Sequence, residues 1–180
     1  VELVEKTDQR ITFRFHPSGK DQLLSILNCF PLPSKWEVTL SKNDHEGELE
    51  EDRKFLEESL DSERQSLQST LDTFLNSPVT FYEEDGQNFL RLGLDKVEWL
   101  LQILNDIRIS SWQLLGSPGP EDKENLEKLI QDEIPEESMQ QAQLFLLLEL
   151  AGYYQSVVIE SLDRPNLSRD EAENQDGDDS

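Results

Sequence analysis

The chain has little cysteine and little histidine: its 180 residues include one cysteine, Cys29, and two histidines, His16 and His45. One thiol excludes an intramolecular disulfide framework and leaves too few ligands for a structural zinc site. Neither histidine has an acidic or cysteine partner at ligand spacing, which argues against a zinc or non-haem iron centre. We therefore expect no metal, and we expect Cys29 to be a buried, unreactive thiol.

Long apolar runs are missing too. The longest one, Leu144–Leu148, is far shorter than the roughly 18 residues that a membrane span needs. Residues 1–10 are charged from the start and lack the apolar segment of a signal peptide. These two absences predict a soluble, cytoplasmic protein that does not contact a membrane.

Cations are scarce. The chain has 16 Lys and Arg against 39 Asp and Glu, a formal net charge of -23 and a pI of about 4.2. Binding a phosphate backbone or an anionic lipid surface requires clustered cations, so the charge argues against direct contact with nucleic acid or anionic membranes. Most of the acid lies in residues 44–63, 121–137 and 163–180, which leaves a nearly neutral remainder to form the core.

Sequence signatures of catalysis are absent as well. The chain contains no P-loop, no dinucleotide-binding pattern and no nucleophile elbow, so we expect no cofactor and no enzyme activity. Glu149 is the carboxylate that stands out, because it interrupts the leucine-rich run. It is either an inward-facing acid with a perturbed pKa or the start of a polar stripe with Gly152, Ser156 and Glu160. The helical spacing favours the stripe.

Two pairs of short alternating segments predict β-hairpins. The pairs are residues 1–5 with 11–15, and residues 79–82 with 88–92. Asp85-Gly86, between the second pair, is typical of a two-residue hairpin turn. A weaker pattern at Trp36–Leu40 predicts either a third strand or the edge of a loop.

Helical periodicity covers most of the remaining chain. We expect Phe55 on the apolar stripe of the second helical segment, and Ser62 and Gln65 resemble a capping box that predicts a break near Asp61. The last segment is apolar over most of its circumference, which places it in the centre of the core or at an oligomer interface. The segments span about residues 22–30, 46–76, 95–115, 121–131 and 137–162.

These elements predict a mainly α fold. We expect a helical bundle around the central, apolar C-terminal helix, with one or two small β-hairpins of minor α+β character. Residues 1–162 form a single globular domain, which includes an acidic helix or insert at 44–76. Residues 163–180 form a disordered acidic tail, because they contain almost no apolar residue.

Residues 104–108, with the sequence LNDIR, combine core and polar positions on one helix. Helical spacing turns Leu104 and Ile107 inward and Asn105 and Asp106 outward. Arg108 borders the apolar face, from which it either reaches solvent or clamps a carboxylate of the last helix. Its surroundings are expected to include three aromatic residues: Trp112, Tyr153 and Tyr154.

The same motif carries a resemblance to a known family. The helix with LNDIR, a connector broken by Gly and Pro, a short acidic helix and a last helix with YYQSVVIESL resemble the bacterial domain of unknown function 2017 family over residues 90–162. The resemblance implies a regulatory or adaptor role in the bacterial cytoplasm, and it implies no catalytic residues. The positions that carry it are Leu104, Asn105, Asp106, Arg108, Tyr154, Gln155, Val158 and Leu162.

Three classes of function remain open. The first is a non-enzymatic interaction or regulatory protein, whose acidic surface binds a basic protein partner or which self-associates through its last helix. The second is a transcription regulator or an acidic DNA mimic, and the third is an enzyme that uses a core carboxylate such as Glu149. The candidate residues are Asn105, Asp106, Arg108, Glu149, Tyr154 and Gln155, and none is assigned as catalytic, cofactor-binding or metal-binding.

Overall fold

The computed structural model describes residues 1–32, 48–131 and 134–168. It is mainly helical, with five α-helices and four strands in these ranges. In chain order the elements are β1 (Glu2–Lys6), β2 (Arg10–Phe15), α1 (Gly19–Leu27), α2 (Glu48–Leu75), β3 (Phe81–Glu84), β4 (Gln87–Gly93), α3 (Leu94–Leu114), α4 (Pro120–Gln131), a 3₁₀ turn (Glu136–Ser138) and α5 (Met139–Asp163).

Both predicted hairpins are confirmed, and they share one antiparallel sheet. β2 pairs with β4 along its whole length, which gives the strand order β1-β2-β4-β3. The second hairpin turns at Asp85 and Gly86, whose φ angles of 50° and 75° are the two positive values that a type I′ turn requires. The sequence did not predict the pairing of β2 with β4, because α1 and α2 separate these strands along the chain.

The core lies between one face of the sheet and the helices. Strand alternation brings apolar residues of β2 and β4 to the same face, and α3 lies across them with its own apolar face. α5 and the C-terminal end of α2 close the core at its sides. Its central side chains include Ile11, Phe13, Leu90, Leu92, Leu100, Ile103, Leu104 and Ile107.

α2 runs without a break from Glu48 to Leu75, so the predicted break near Asp61 is wrong. Glutamate, leucine, arginine and glutamine flank this point and favour helix, and extending a helix is easier than starting a new one. The prediction for Phe55 is also wrong, since its side chain is 76% exposed. The apolar contacts described for α2 lie near its C-terminal end, at Leu67, Leu71, Phe74 and Leu75.

α5 packs on one side against α3, in the most extensive contact between the described helices. Its other side leaves Met139, Leu146 and Tyr153 exposed, at intervals of seven residues. A bundle centred on α5 is therefore not confirmed, and the coarser description as a mainly helical α+β fold holds. By length and composition alone, α5 could cross a membrane, and core helices of soluble proteins meet the same criterion.

The segment that follows α5, residues 164–168, contacts the first strand of the sheet. Lys6 and Leu167 exchange two backbone hydrogen bonds of 2.8 and 2.9 Å, and the Lys6 ammonium donates to the carbonyl oxygens of Leu162 and Arg164 at the end of α5. Residues 163–168 of the predicted tail thus include the last residue of α5 and, at Leu167, a backbone bridge to β1. Residues 169–180 lie outside the described residues, as does the predicted strand at Trp36–Leu40.

Candidate functional site

An open groove of about 700 Å³ lies between α3, α4 and α5, and we call it the α3/α4/α5 groove. Its charged side chains and its two exposed aromatic side chains come from all three helices: Arg108 and Trp112 from α3, Lys123 from α4, and Glu149 and Tyr153 from α5. The rest of the lining is mainly apolar or small, and consists of Pro118, Gly119, Pro120, Phe145, Leu148, Gly152 and Ser156.

The turn after α3 shapes one wall of the groove. Gly116 adopts a φ of 85°, a left-handed conformation that costs glycine little and that ends many helices. The backbone N–H of Ser117 then donates to the carbonyl of Trp112 at 2.9 Å, and that of Gly116 donates to Gln113 at 3.0 Å. This is the pair of hydrogen bonds of a Schellman motif, and it stops α3 one turn after Trp112.

α4 starts immediately after this turn. Pro120 is its first residue, a position where proline lacks only an N–H group that would have no helical partner. The backbone N–H of Gly119 donates to Asp122 Oδ2 at 3.0 Å, which satisfies the start of the helix. α4 is thereby directed onto α5, where Lys123 Nζ lies 2.9 Å from Glu149 Oε1.

Two aromatic side chains of the groove are exposed but held in place. Trp112 is 42% exposed, and its indole Nε1–H donates to the carbonyl of Pro118 at 3.2 Å. Tyr153 is 48% exposed, and its ring packs edge-on against Tyr154 with a centroid distance of 5.3 Å. Both rings therefore present apolar area to solvent. Because contacts within the chain already restrict them, little further side-chain entropy is lost when a ligand binds.

Arg108 lines the groove and is exposed, and it does not clamp a carboxylate of α5, which was one of the two alternatives for it. Its Nη2 donates to Asn105 Oδ1 at 3.1 Å, within α3. The carboxylate of α5 that lines the groove, Glu149, pairs with Lys123 instead. Among the described residues, Arg108 has no ion-pair partner.

Glu149 is exposed and sits in an ion pair at the surface of α5. A general acid with a raised pKa needs an apolar wall that disfavours its charged form. Glu149 has no such wall, because its side chain is exposed and lies beside the Lys123 ammonium. The geometry thus suits a link between α4 and α5 better than catalysis.

Asp106 lies at the contact between α2 and α3 rather than pointing into solvent. Arg64 Nη2 donates to Asp106 Oδ1 at 2.9 Å, and the two side chains are 13% and 24% exposed. Sequence reasoning missed this partner because Arg64 lies on another helix. Asp106 therefore has a structural role between two helices, away from the groove.

The remaining candidates on α5, Tyr154 and Gln155, are not in the groove lining. Tyr154 is 3% exposed, and its hydroxyl donates to the carbonyl of Gly19 at 2.7 Å, which joins α5 to α1. Burial raises the pKa of Tyr154 to about 12. Gln155 is half-buried beside it.

The outer face of the sheet also carries charged residues, but they pair with each other across the strands. Arg14 lies 2.6 Å from Glu2, and Arg10 lies 2.8 Å from Glu5. The hydrogen bond from Arg10 lowers the pKa of Glu5. These pairs satisfy the sheet surface within the chain, so this face is a weaker candidate site.

Two other kinds of chemistry concern metal binding and the Cys29 thiol. Within the described ranges, no group of three or more His, Cys, Asp or Glu side chains could hold a metal ion. Cys29 is half-buried, its thiol donates to the carbonyl of Ser25 at 3.3 Å, and burial raises the pKa of Cys29. A raised pKa keeps the thiol protonated and unreactive.

The structure thus brings together Arg108 and Glu149, with Trp112 and Tyr153 beside them, and it separates Asn105, Asp106, Tyr154 and Gln155 from the groove lining. Sequence reasoning did not assign Lys123 or Pro118–Pro120 to a site. A local signal existed, because the GSPGP connector forces a tight return of the chain after Trp112.

Comparison with family models, with curated proteins and with solved structures gave no match for this chain. The resemblance to the domain of unknown function 2017 family therefore stays a prediction.

Proposed function

We propose that this chain is a non-enzymatic interaction protein that docks a protein partner in the α3/α4/α5 groove. The observation that carries the proposal is the presence of Arg108, Trp112 and Tyr153 in one concave surface. Arginine, tryptophan and tyrosine are the residue types that most often dominate the energy of protein interfaces. Two of them expose large rings next to an apolar floor, which is typical of an interaction surface.

The acidic surface of the protein determines the charge of the proposed partner. α4 forms one wall of the groove and carries exposed acids at Glu121, Asp122, Glu124 and Glu127. Together with the net charge of -23, they attract a partner with a basic surface over long distances. Salt screens this attraction, so association is expected to slow as the ionic strength rises.

The experiment is affinity capture from native lysate with the wild-type chain, Trp112→Ala and Phe55→Ala. Phe55 is the matched control, because it is an exposed aromatic residue on α2, outside the groove. We expect wild type and Phe55→Ala to retain the same basic protein at low salt, and Trp112→Ala to lose it. Equal retention by all three proteins, or retention of no protein by wild type, would contradict the proposal.

Self-association is a second candidate, and one observation favours it. Met139, Leu146 and Tyr153 form an exposed apolar row on α5 at heptad spacing, which is the pattern of a helix that pairs with another helix. The same capture experiment separates the two functions when a tagged chain is mixed with an untagged copy. If the tagged chain retains only the untagged copy and no other protein, a second copy is the occupant of the groove.

A further inference from the structure

We propose that Arg108 is the carboxylate-binding residue of the groove, and that the docked segment places a carboxylate beside an apolar side chain. The carboxylate is that of Asp, of Glu or of a chain terminus. This inference rests on the proposed function and names the chemistry that the groove recognises.

The first observation is the pairing of arginines in a strongly acidic protein. Arg10, Arg14 and Arg64 each lie within 3 Å of a carboxylate oxygen. Arg91 donates to the hydroxyl of Tyr82, and the exposed Arg164 has no ion-pair partner among the described residues. Arg108 is also exposed; it donates to the neutral amide of Asn105, and its remaining N–H groups have no partner among the described residues. An arginine side chain is always charged at physiological pH, so Arg108 leaves a positive charge in the groove without a carboxylate of its own.

The second observation is the charge of the groove lining. Its charged residues are Arg108, Lys123 and Glu149, and the last two neutralise each other at 2.9 Å. One net positive charge therefore faces the groove, while the outer surface of α4 is acidic. The positive groove complements a carboxylate of the partner, and the acidic surface of α4 complements basic residues around that carboxylate. This agrees with a basic partner.

The third observation is the position of the Arg108 side chain over α5. A Cβ atom at Gly152 would lie 3.9 Å from Arg108 Cδ, so the aliphatic part of Arg108 crosses α5 where that helix has no side chain. Asn105 fixes one edge of the guanidinium through Nη2, and a planar guanidinium binds a carboxylate with two parallel hydrogen bonds. Trp112 follows one helical turn later, where its ring can pack against the neighbouring apolar side chain of the docked segment.

The experiment compares two small probes, N-acetyl-leucine and its neutral amide. Binding is followed by nuclear magnetic resonance at low salt, through the Trp112 indole N–H and the Arg108 Nε–H. We expect saturable shifts with millimolar affinity for the acid, and binding of the amide that is about tenfold weaker, because the amide loses the charge-assisted hydrogen bonds.

Two variants assign this difference to Arg108. Arg108→Gln keeps a polar side chain of similar reach, and it is expected to bind the acid as weakly as the amide. Arg164→Gln removes an exposed arginine outside the groove lining, and it is expected to retain the preference for the acid. Equal binding of acid and amide by wild type, no saturable shift with either probe, or an Arg108→Gln variant that keeps the preference would overturn the inference.

The capture experiment distinguishes a failure of this inference from a failure of the proposed function. If capture requires Trp112 but is unchanged in Arg108→Gln, the groove docks a partner without recognising a carboxylate. If capture is unchanged in Trp112→Ala as well, the proposed function itself fails. Retention of a second copy that depends on Arg108 would overturn the assignment to a separate partner.

Discussion

At the scale of single residues, Tyr153 and Tyr154 show how one helical step changes the environment of a side chain. Tyr154 is buried and joins α5 to α1, whereas Tyr153 is about half exposed at the edge of the groove. A rotation of about 100° per residue around the helix axis accounts for the difference. Tyr154 is therefore the tyrosine of the two that we expect to stabilise the fold.

Substitution of Tyr154 by Phe is expected to change how the free energy of unfolding depends on pH. The hydroxyl donates to the Gly19 carbonyl, so Tyr154→Phe lowers the free energy of unfolding by about 1 kcal/mol near neutral pH. The folded pKa of about 12 lies above the ordinary value of 10. The stabilising contribution of the neutral phenol is thus fully present below pH 10 and is lost between pH 10 and pH 12.

Between pH 10 and pH 12 the free energy of unfolding of the wild type is expected to fall by about 2–3 kcal/mol because Tyr154 ionises. This contribution is absent from Tyr154→Phe. Urea unfolding at a series of pH values measures the difference between the two proteins. A constant difference between wild type and Tyr154→Phe from neutral pH to pH 12 would contradict the assignment.

At the scale of elements, the Arg64–Asp106 pair links α2 to α3. Asp106→Asn removes a carboxylate from a guanidinium that is 13% exposed, so the free energy of unfolding should fall by about 1–3 kcal/mol. Asp95→Asn is the matched control on the same helix, since Asp95 lies 3.9 Å from Lys96 at an exposed position, where an ion pair contributes little. Denaturant unfolding of the two variants checks this, and equal destabilisation would refute a structural role for Asp106.

Elements with a strong local signal could be predicted from the sequence. Asp85-Gly86 predicts a hairpin turn because both residues tolerate positive φ. GSPGP predicts the boundary between α3 and α4 because Gly116 can adopt a positive φ that ends a helix and the prolines lack the N–H group that a helix interior needs. The pairing of β2 with β4 and the unbroken course of α2 could not be predicted. Both depend on contacts or helix extension beyond the local window.

The candidate site was predictable to the same degree. Helical spacing indicated that Arg108 borders the apolar face, with Trp112 and Tyr153 nearby, and the structure places all three in one groove. Spacing along one helix cannot show what lies on the next helix. It therefore could not assign Arg64 to Asp106 or Lys123 to Glu149, and the second of these pairs helps to shape the groove.

At the scale of the whole molecule, the negative charge of α4 and the positive charge of the groove lining lie in separate places. The acids of α4 lie on an exposed helix beside the groove, whereas the groove lining carries one net positive charge. For the proposed basic partner, salt weakens the long-range attraction but not the apolar contact with Trp112 and Tyr153 that we propose. We therefore expect the association rate to fall steeply as the ionic strength rises and the dissociation rate to change less.

The most direct test of the docking groove is the dissociation constant of the captured partner for wild type, Trp112→Ala and Phe55→Ala, measured by calorimetry under one set of salt conditions. A central tryptophan of an interface contributes about 2 kcal/mol or more, so Trp112→Ala should weaken binding by about 30-fold, and Phe55→Ala should leave it unchanged. An unchanged dissociation constant for Trp112→Ala, or the same weakening for Phe55→Ala, would contradict docking in this groove.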